Sequence, residues 1–272
     1  MLKVAVLMLA GTALAAQDAP PAAATPPVPA AAVNPVLQNN GKPILVPFKC
    51  TEEDVRIAGL TCSEDDPCPV YLELAGLEST GIRLFTAGNI HTSNATLFTI
   101  LLGSDDNGLG WRETHERVRG AALDHLQFAD VDTGWTTGIS FSPLPQDPFV
   151  LMTTDGGKTW RRHDIFNEPR LGSIQQFFFE DKKSGAMVID LGPGSASDRY
   201  ELHESNDGGE TWNIRETNVK GIRLKKAPTA PNPDWRVRAD GPSKSFHLER
   251  RQGQKWTSLA AFKVDLGACK PE

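Results

Sequence analysis

One eight-residue pattern returns at a nearly constant interval, and it restricts this 272-residue chain more than any other feature. Thr153-Thr154-Asp155-Gly156-Gly157-Lys158-Thr159-Trp160 recurs as Ser205-Asn206-Asp207-Gly208-Gly209-Glu210-Thr211-Trp212. An earlier copy, Ser104-Asp105-Asp106-Asn107-Gly108-Leu109-Gly110-Trp111, lacks only the Thr. A worn copy from Arg251 to Trp256 keeps only Gly253 and the Trp. The spacing of Trp111, Trp160, Trp212 and Trp256 suits one four-stranded propeller blade per repeat.

The motif has a local physical logic. A hydroxyl and a carboxylate at close spacing can turn onto backbone N–H groups of their own hairpin. The Gly-Gly or Asn-Gly pair supplies the positive φ of a tight hairpin, and the Trp covers it. The flanks repeat too, because Phe128–Trp135 aligns with Phe179–Ala186. Each unit therefore reads strand, turn at Gly, strand, longer loop, strand, motif turn, strand. Tyr200–Glu204 and Ser245–Glu249 alternate as half-buried strands do. A calcium loop would need an acidic residue at its twelfth position, which the Asp105–Gly108 stretch lacks.

These boxes resemble the bacterial neuraminidase repeat, or Asp-box, family of β-propellers. The pairing of Phe128–Trp135 with the box at Thr153–Trp160 is similar to the photosystem II assembly and stability factor branch. That resemblance implies boxes at the blade periphery that serve the fold. It makes Asp106, Asp155 and Asp207, with Trp111, Trp160 and Trp212, scaffold residues rather than catalysts. Box propellers also occur in sialidases, sortilin-like receptors and glycan hydrolases, so the fold does not fix the activity.

The units run from about 70 to 113, 123 to 163, 173 to 216 and 220 to 262. They predict an all-β fold, a small propeller of four blades, with Ile44–Val46 or Val264–Leu266 as closing strands; five blades using both ends is the alternative. Residues 1–16 read as an export signal: Lys3, an apolar run from Val4 to Ala10, then Thr12–Ala16 with an Ala-x-Ala cut. Residues 17–43, rich in Ala and Pro, read as a disordered tether, and 44–272 as the folded domain. No other apolar run is long enough to cross a bilayer. A periplasmic or secreted protein is expected.

Four cysteines in an exported chain favour disulfides. Their spacing suggests Cys62–Cys68 and Cys50–Cys269, one of three possible connectivities. A formal charge of −6 and no Lys/Arg block argue against nucleic acid as a partner.

Catalytic patterns are sparse. A sialidase needs an arginine cluster and a Tyr activated by a Glu. Tyr200 precedes Glu201 directly, but neighbours on a strand point to opposite faces. There is no nucleophile elbow, no zinc-protease motif and no implied cofactor or metal. One recurrence hints at binding. Arg119 and Arg170 each stand nine residues before the aligned Phe128 and Phe179, and Arg223 has a similar place in the fourth unit. Converging at a channel rim, they would offer fork donors to a carboxylate, a phosphate or an acidic loop. The expectation is a non-catalytic scaffold that binds a protein or cell-envelope component, with a glycan-binding or sialidase-like hydrolase as the alternative.

Overall fold

Each predicted unit becomes one antiparallel sheet, because its apolar residues alternate along strands that tight turns reverse. The computed structural model describes residues 35–141, 147–168, 170–195, 198–225, 233–265 and 267–269. The expected export signal lies outside the described residues, as does the tether up to residue 34. Ahead of the first unit come β1 (Leu37–Gln38), β2 (Ile44–Val46), the short helix α1 (Glu52–Ile57) and β3 (Cys68–Pro69).

The first sheet is β4 (Tyr71–Thr80), β5 (Arg83–His91), β6 (Thr96–Ser104) and β7 (Gly110–Glu113). The second is β8 (Ala121–Phe128), β9 (Gly134–Ser140), β10 (Asp147–Thr153) and β11 (Arg161–Asp164). The third is β12 (Ser173–Phe179), β13 (Gly185–Asp190), β14 (Tyr200–Ser205) and β15 (Asn213–Asn218). The fourth has β16 (Trp235–Asp240), β17 (Ser245–Gln252) and β18 (Lys255–Val264), with β2 parallel to β18 at its edge. A last pair joins β19 (Ala268–Cys269) to β3.

The sheets stack face to face. β8 crosses the first sheet against β4, β5 and β6, and β12 crosses the second against β8, β9 and β10. β4 crosses the fourth against β16, β17 and β18. Four-stranded sheets covered in turn by the first strand of the next make a β-propeller, and among the described residues four sheets have four or more strands, the β19–β3 pair being the fifth. Among the described residues, no packing on that scale joins the third sheet to the fourth.

The turns close as the motif's chemistry requires. Ser104 Oγ, Thr153 Oγ1 and Ser205 Oγ accept from Gly108 N, Gly157 N and Gly209 N at 2.8–2.9 Å. Oδ1 of Asp106, Asp155 and Asp207 accepts from the N–H of Gly110, Thr159 and Thr211 at 2.9–3.0 Å. Two successive positive-φ residues make each bend: Asn107 and Gly108, Gly156 and Gly157, Gly208 and Gly209. A Cβ on Gly157 would fall 2.4 Å from the Phe85 ring of the first sheet, so this turn also needs Gly for packing. The fourth copy bends at Gly253 (φ 62) with no carboxylate to pin it.

Two features correct the sequence reading. The tether does not extend to residue 43: Leu37 pairs with Trp111, and Asn39 Nδ2 donates to Gly108 O and Leu259 O, both at 2.8 Å. The two-residue strand Leu37–Gln38 is enough to extend a sheet edge when the Asn39 amide anchors the turn after it. The fourth unit, expected from about 220, contributes sheet strands, among the described residues, only from Trp235, and β2 lies beyond β18 at the outer edge. Both disulfides form as the spacing suggests, Cys50–Cys269 and Cys62–Cys68.

Candidate binding face of the third sheet

Alternation along the third sheet sorts its residues between two faces. Ile174, Phe177 and Phe179 of β12, with Met187 and Ile189 of β13, pack in one cluster with Trp135, Val150 and Met152 of the second sheet. Phe179 stacks flat on Trp135 with ring centroids 3.7 Å apart. The opposite face carries Gln176, Phe178, Ala186, Leu202 and Glu204. In the first and second sheets that face is covered by β8 and β12. On the third, the described chain that lies against it is the strap Ile222–Lys225.

Gln176 holds this strap. Its Nε2 donates to Ile222 O at 2.7 Å, and its Oε1 accepts from Leu224 N at 3.0 Å. The same device joins the second and third sheets, where Gln127 Nε2 donates to Phe179 O at 2.7 Å and Oε1 accepts from Phe179 N at 2.8 Å. A primary amide carries one donor side and one acceptor side, so it can replace a neighbouring strand at one residue. Beside the strap lies a cleft of about 430 Å³ whose apolar lining is Phe178, Ala186, Leu202, Ile222 and Leu224. Glu204, Arg215, Glu216, Arg223 and Lys225 surround it, all exposed and, among the described residues, in no ion pair.

The three arginines singled out by their spacing do not share a partner. Arg119 Nε lies 3.0 Å from Asp54 Oδ1 and Nη1 lies 3.3 Å from Glu53 Oε2, both on α1, while its guanidinium sits over Phe98. Arg170 is bidentate to Glu201 at 2.6 and 3.3 Å and covers Phe166. Each link crosses a different acidic element, and each guanidinium is taken up there. Arg223 alone of the three stands at the cleft.

Glu201 also meets His203 Nε2 at 3.0 Å. Burial holds the His203 imidazole below its ordinary pKa, against the Glu201 hydrogen bond and charge that favour its protonation. Tyr200 faces away from Glu201, half-buried with Arg199 over its ring, so no tyrosine–carboxylate pair forms. A similar grouping ties Arg236 and Arg238 to the buried Glu249, with Nε–O distances of 2.7 Å each. Among the described residues, no three metal-ligating side chains cluster, and no helix is long and apolar enough to cross a membrane. The glutamine clasps left no trace in the sequence reading, since each depends on a partner distant in the chain; the Glu201–His203 contact joins residues two apart on one strand face.

No family model matches the chain, and no curated protein matches it. Solved structures do. YCF48 bound to a D1 peptide shares 16% identity over 70% of this chain and 53% of its own, with a TM-score of 0.36. YCF48 from Cyanidioschyzon merolae shares 18% over 73% and 57%, with a TM-score of 0.37. The GH74 xyloglucanase from Xanthomonas campestris shares 13% over 68% and 29%, with a TM-score of 0.33. The chain thus spans little more than half of the YCF48 chains and less than a third of the xyloglucanase. The reading of the cleft rests on its own residues.

Proposed function

We propose that this chain is an exported, non-catalytic β-propeller scaffold that binds a protein component of the cell envelope through the cleft of the third sheet. The cleft itself carries the reading: an apolar floor of Phe178, Leu202, Ile222 and Leu224 beside Glu204, Arg215, Glu216, Arg223 and Lys225, which form no ion pair among the described residues. Such a surface suits a polypeptide, whose side chains alternate in character, better than a small polar ligand. Asp106, Asp155 and Asp207 are engaged in their turns, and Glu201 and Glu249 on arginines. Two disulfides suit an oxidising compartment, in keeping with the signal-like residues 1–16.

The test sets wild-type chain beside R223E/K225E in a pull-down from envelope extract, with a fluorogenic glycoside panel run in parallel. A protein retained by the wild type and lost by the double variant, with no glycoside turned over, is the expected outcome. Turnover abolished by Arg170→Ala would instead establish the glycan-active alternative.

A further inference from the structure

Among the described residues, the fourth sheet is one strand short at its inner edge. β7 ends at Glu113 and the second strand of the next sheet begins at Gly134; β11 ends at Asp164 and the next second strand begins at Gly185. β15 ends at Asn218 and β16 begins at Trp235, which is where a second strand belongs. The worn turn agrees. In the other sheets the motif turn joins the third strand to the fourth, and in this one Gly253 joins β17 to β18. So β16, β17 and β18 are second, third and fourth strands, and β2 is an outer addition, as β1 is beyond β7. The first-strand place falls to Ile222–Lys225, which is clasped to Gln176 and, among the described residues, pairs with no strand of the fourth sheet. Pro228, Pro231 and Pro233, which follow in the sequence, have no N–H to give a ladder.

The open edge has a definite register. Arg251 N donates to Asp234 O at 2.7 Å, and no bulge interrupts β16 against β17. Bonded pairs therefore fall at Arg236–Glu249, Arg238–His247 and Asp240–Ser245. The N–H and C=O groups of Trp235, Val237 and Ala239 consequently point away from β17. On one face of this edge Trp235 and Val237 join the apolar cluster against the first sheet. On the other, Arg236 and Arg238 meet the carboxylate of Glu249, and Arg238 Nη1 also lies 3.7 Å from Asp240 Oδ1. From Lys220 to Arg251 the chain has nine Lys and Arg against three Asp and Glu, inside a protein of net charge −6.

We propose that an extended segment of a partner protein, with apolar residues alternating with acidic ones, adds to β16 as its missing inner neighbour. The proposal rests on the protein-binding reading above and specifies the segment. Main-chain bonds to Trp235, Val237 and Ala239 hold it, as in strand addition to other exposed edges. Residues opposite these three share their face, so the apolar side chains meet the cluster of Trp235 and Val237 while the carboxylates meet Arg236 and Arg238.

The register makes a sharp test with a fluorescein-labelled decapeptide of alternating Val and Glu and the full mature chain. N-methylation of the Val amides removes the donors that face β16 and abolishes binding; N-methylation of the Glu amides, which face outward, is tolerated. Replacement of Glu by Lys in the peptide abolishes binding as well. Ala239→Pro, at an exposed edge position, weakens binding about tenfold with an unchanged melting temperature. Absence of binding to the wild type, or equal binding of the two methylated peptides, overturns the proposal. If A239P and the wild type retain the same envelope protein equally, strand addition is wrong while protein binding stands; if no protein is retained, the broader reading fails with it.

Discussion

Asp207 shows what a single side chain does in this fold. Hydrogen bonds from the Thr211 hydroxyl, then from the Thr211 N–H, hold its carboxyl at about 2, against the small opposing effect of burial. In Asp155 burial is the largest single influence and raises the pKa, yet the bonds from Thr159, Thr153 and Lys158 outweigh it and the net shift is downward. Asp106 is lowered chiefly by the Gly110 N–H. A carboxyl whose folded pKa is depressed adds stability above its unfolded value and loses it as pH falls through the folded one. Urea midpoints should therefore decline as pH drops from about 4 towards 2, and D207N should flatten that decline. His203 works in the same direction at higher pH: its buried ring resists protonation, so below about 6.5 the unfolded chain gains protons that the folded chain refuses. The box was legible in the sequence because all of its partners lie within eight consecutive residues, Ser104–Trp111 for example. Arg119 and Arg170 were legible as a recurrence but not as partners of Asp54 and Glu201, because spacing in one unit carries no information about acids on another element.

Between elements, two glutamines with the same chemistry should have unequal consequences. Phe179 is 1% exposed, so Gln127→Ala leaves a buried N–H and a buried C=O without partners. A loss of about 2–4 kcal/mol in denaturant unfolding is expected. Gln176→Ala frees only the half-exposed Ile222 and Leu224 backbone. The melting temperature should barely move, while the Leu224 amide exchanges faster with deuterium and partner capture weakens. The strands themselves were readable from alternation and Gly turns, and the first three sheets begin and end close to the expected limits. The start of the fourth escaped because its box has lost the carboxylate, whereas Ile44–Val46, read as a closing strand, does pair at its outer edge.

At the scale of the whole molecule, the two ends of the described chain meet. Asn39 ties the first box turn to β18, β2 adds to the outer edge of the fourth sheet, and Cys50–Cys269 closes a loop of sequence separation 219. On the chain-entropy account such a bridge is worth about 4–5 kcal/mol, and the six-residue Cys62–Cys68 loop less. C50A/C269A should therefore lower the melting temperature more than C62A/C68A, a ranking that thermal scans of the two variants decide. Among the described residues, no equivalent fastening joins the third sheet to the fourth, and the cleft, the strap and the free edge of β16 all lie along that seam.

Residue-resolved hydrogen–deuterium exchange of the mature chain tests this account most directly. The amides of Arg236, Arg238 and Asp240, bonded to β17, should be protected, while those of Trp235, Val237 and Ala239 exchange quickly until a partner is added. Equal, strong protection of all six in the unbound chain would mean that its own sequence already fills the inner edge, and the seam would then be closed to any partner.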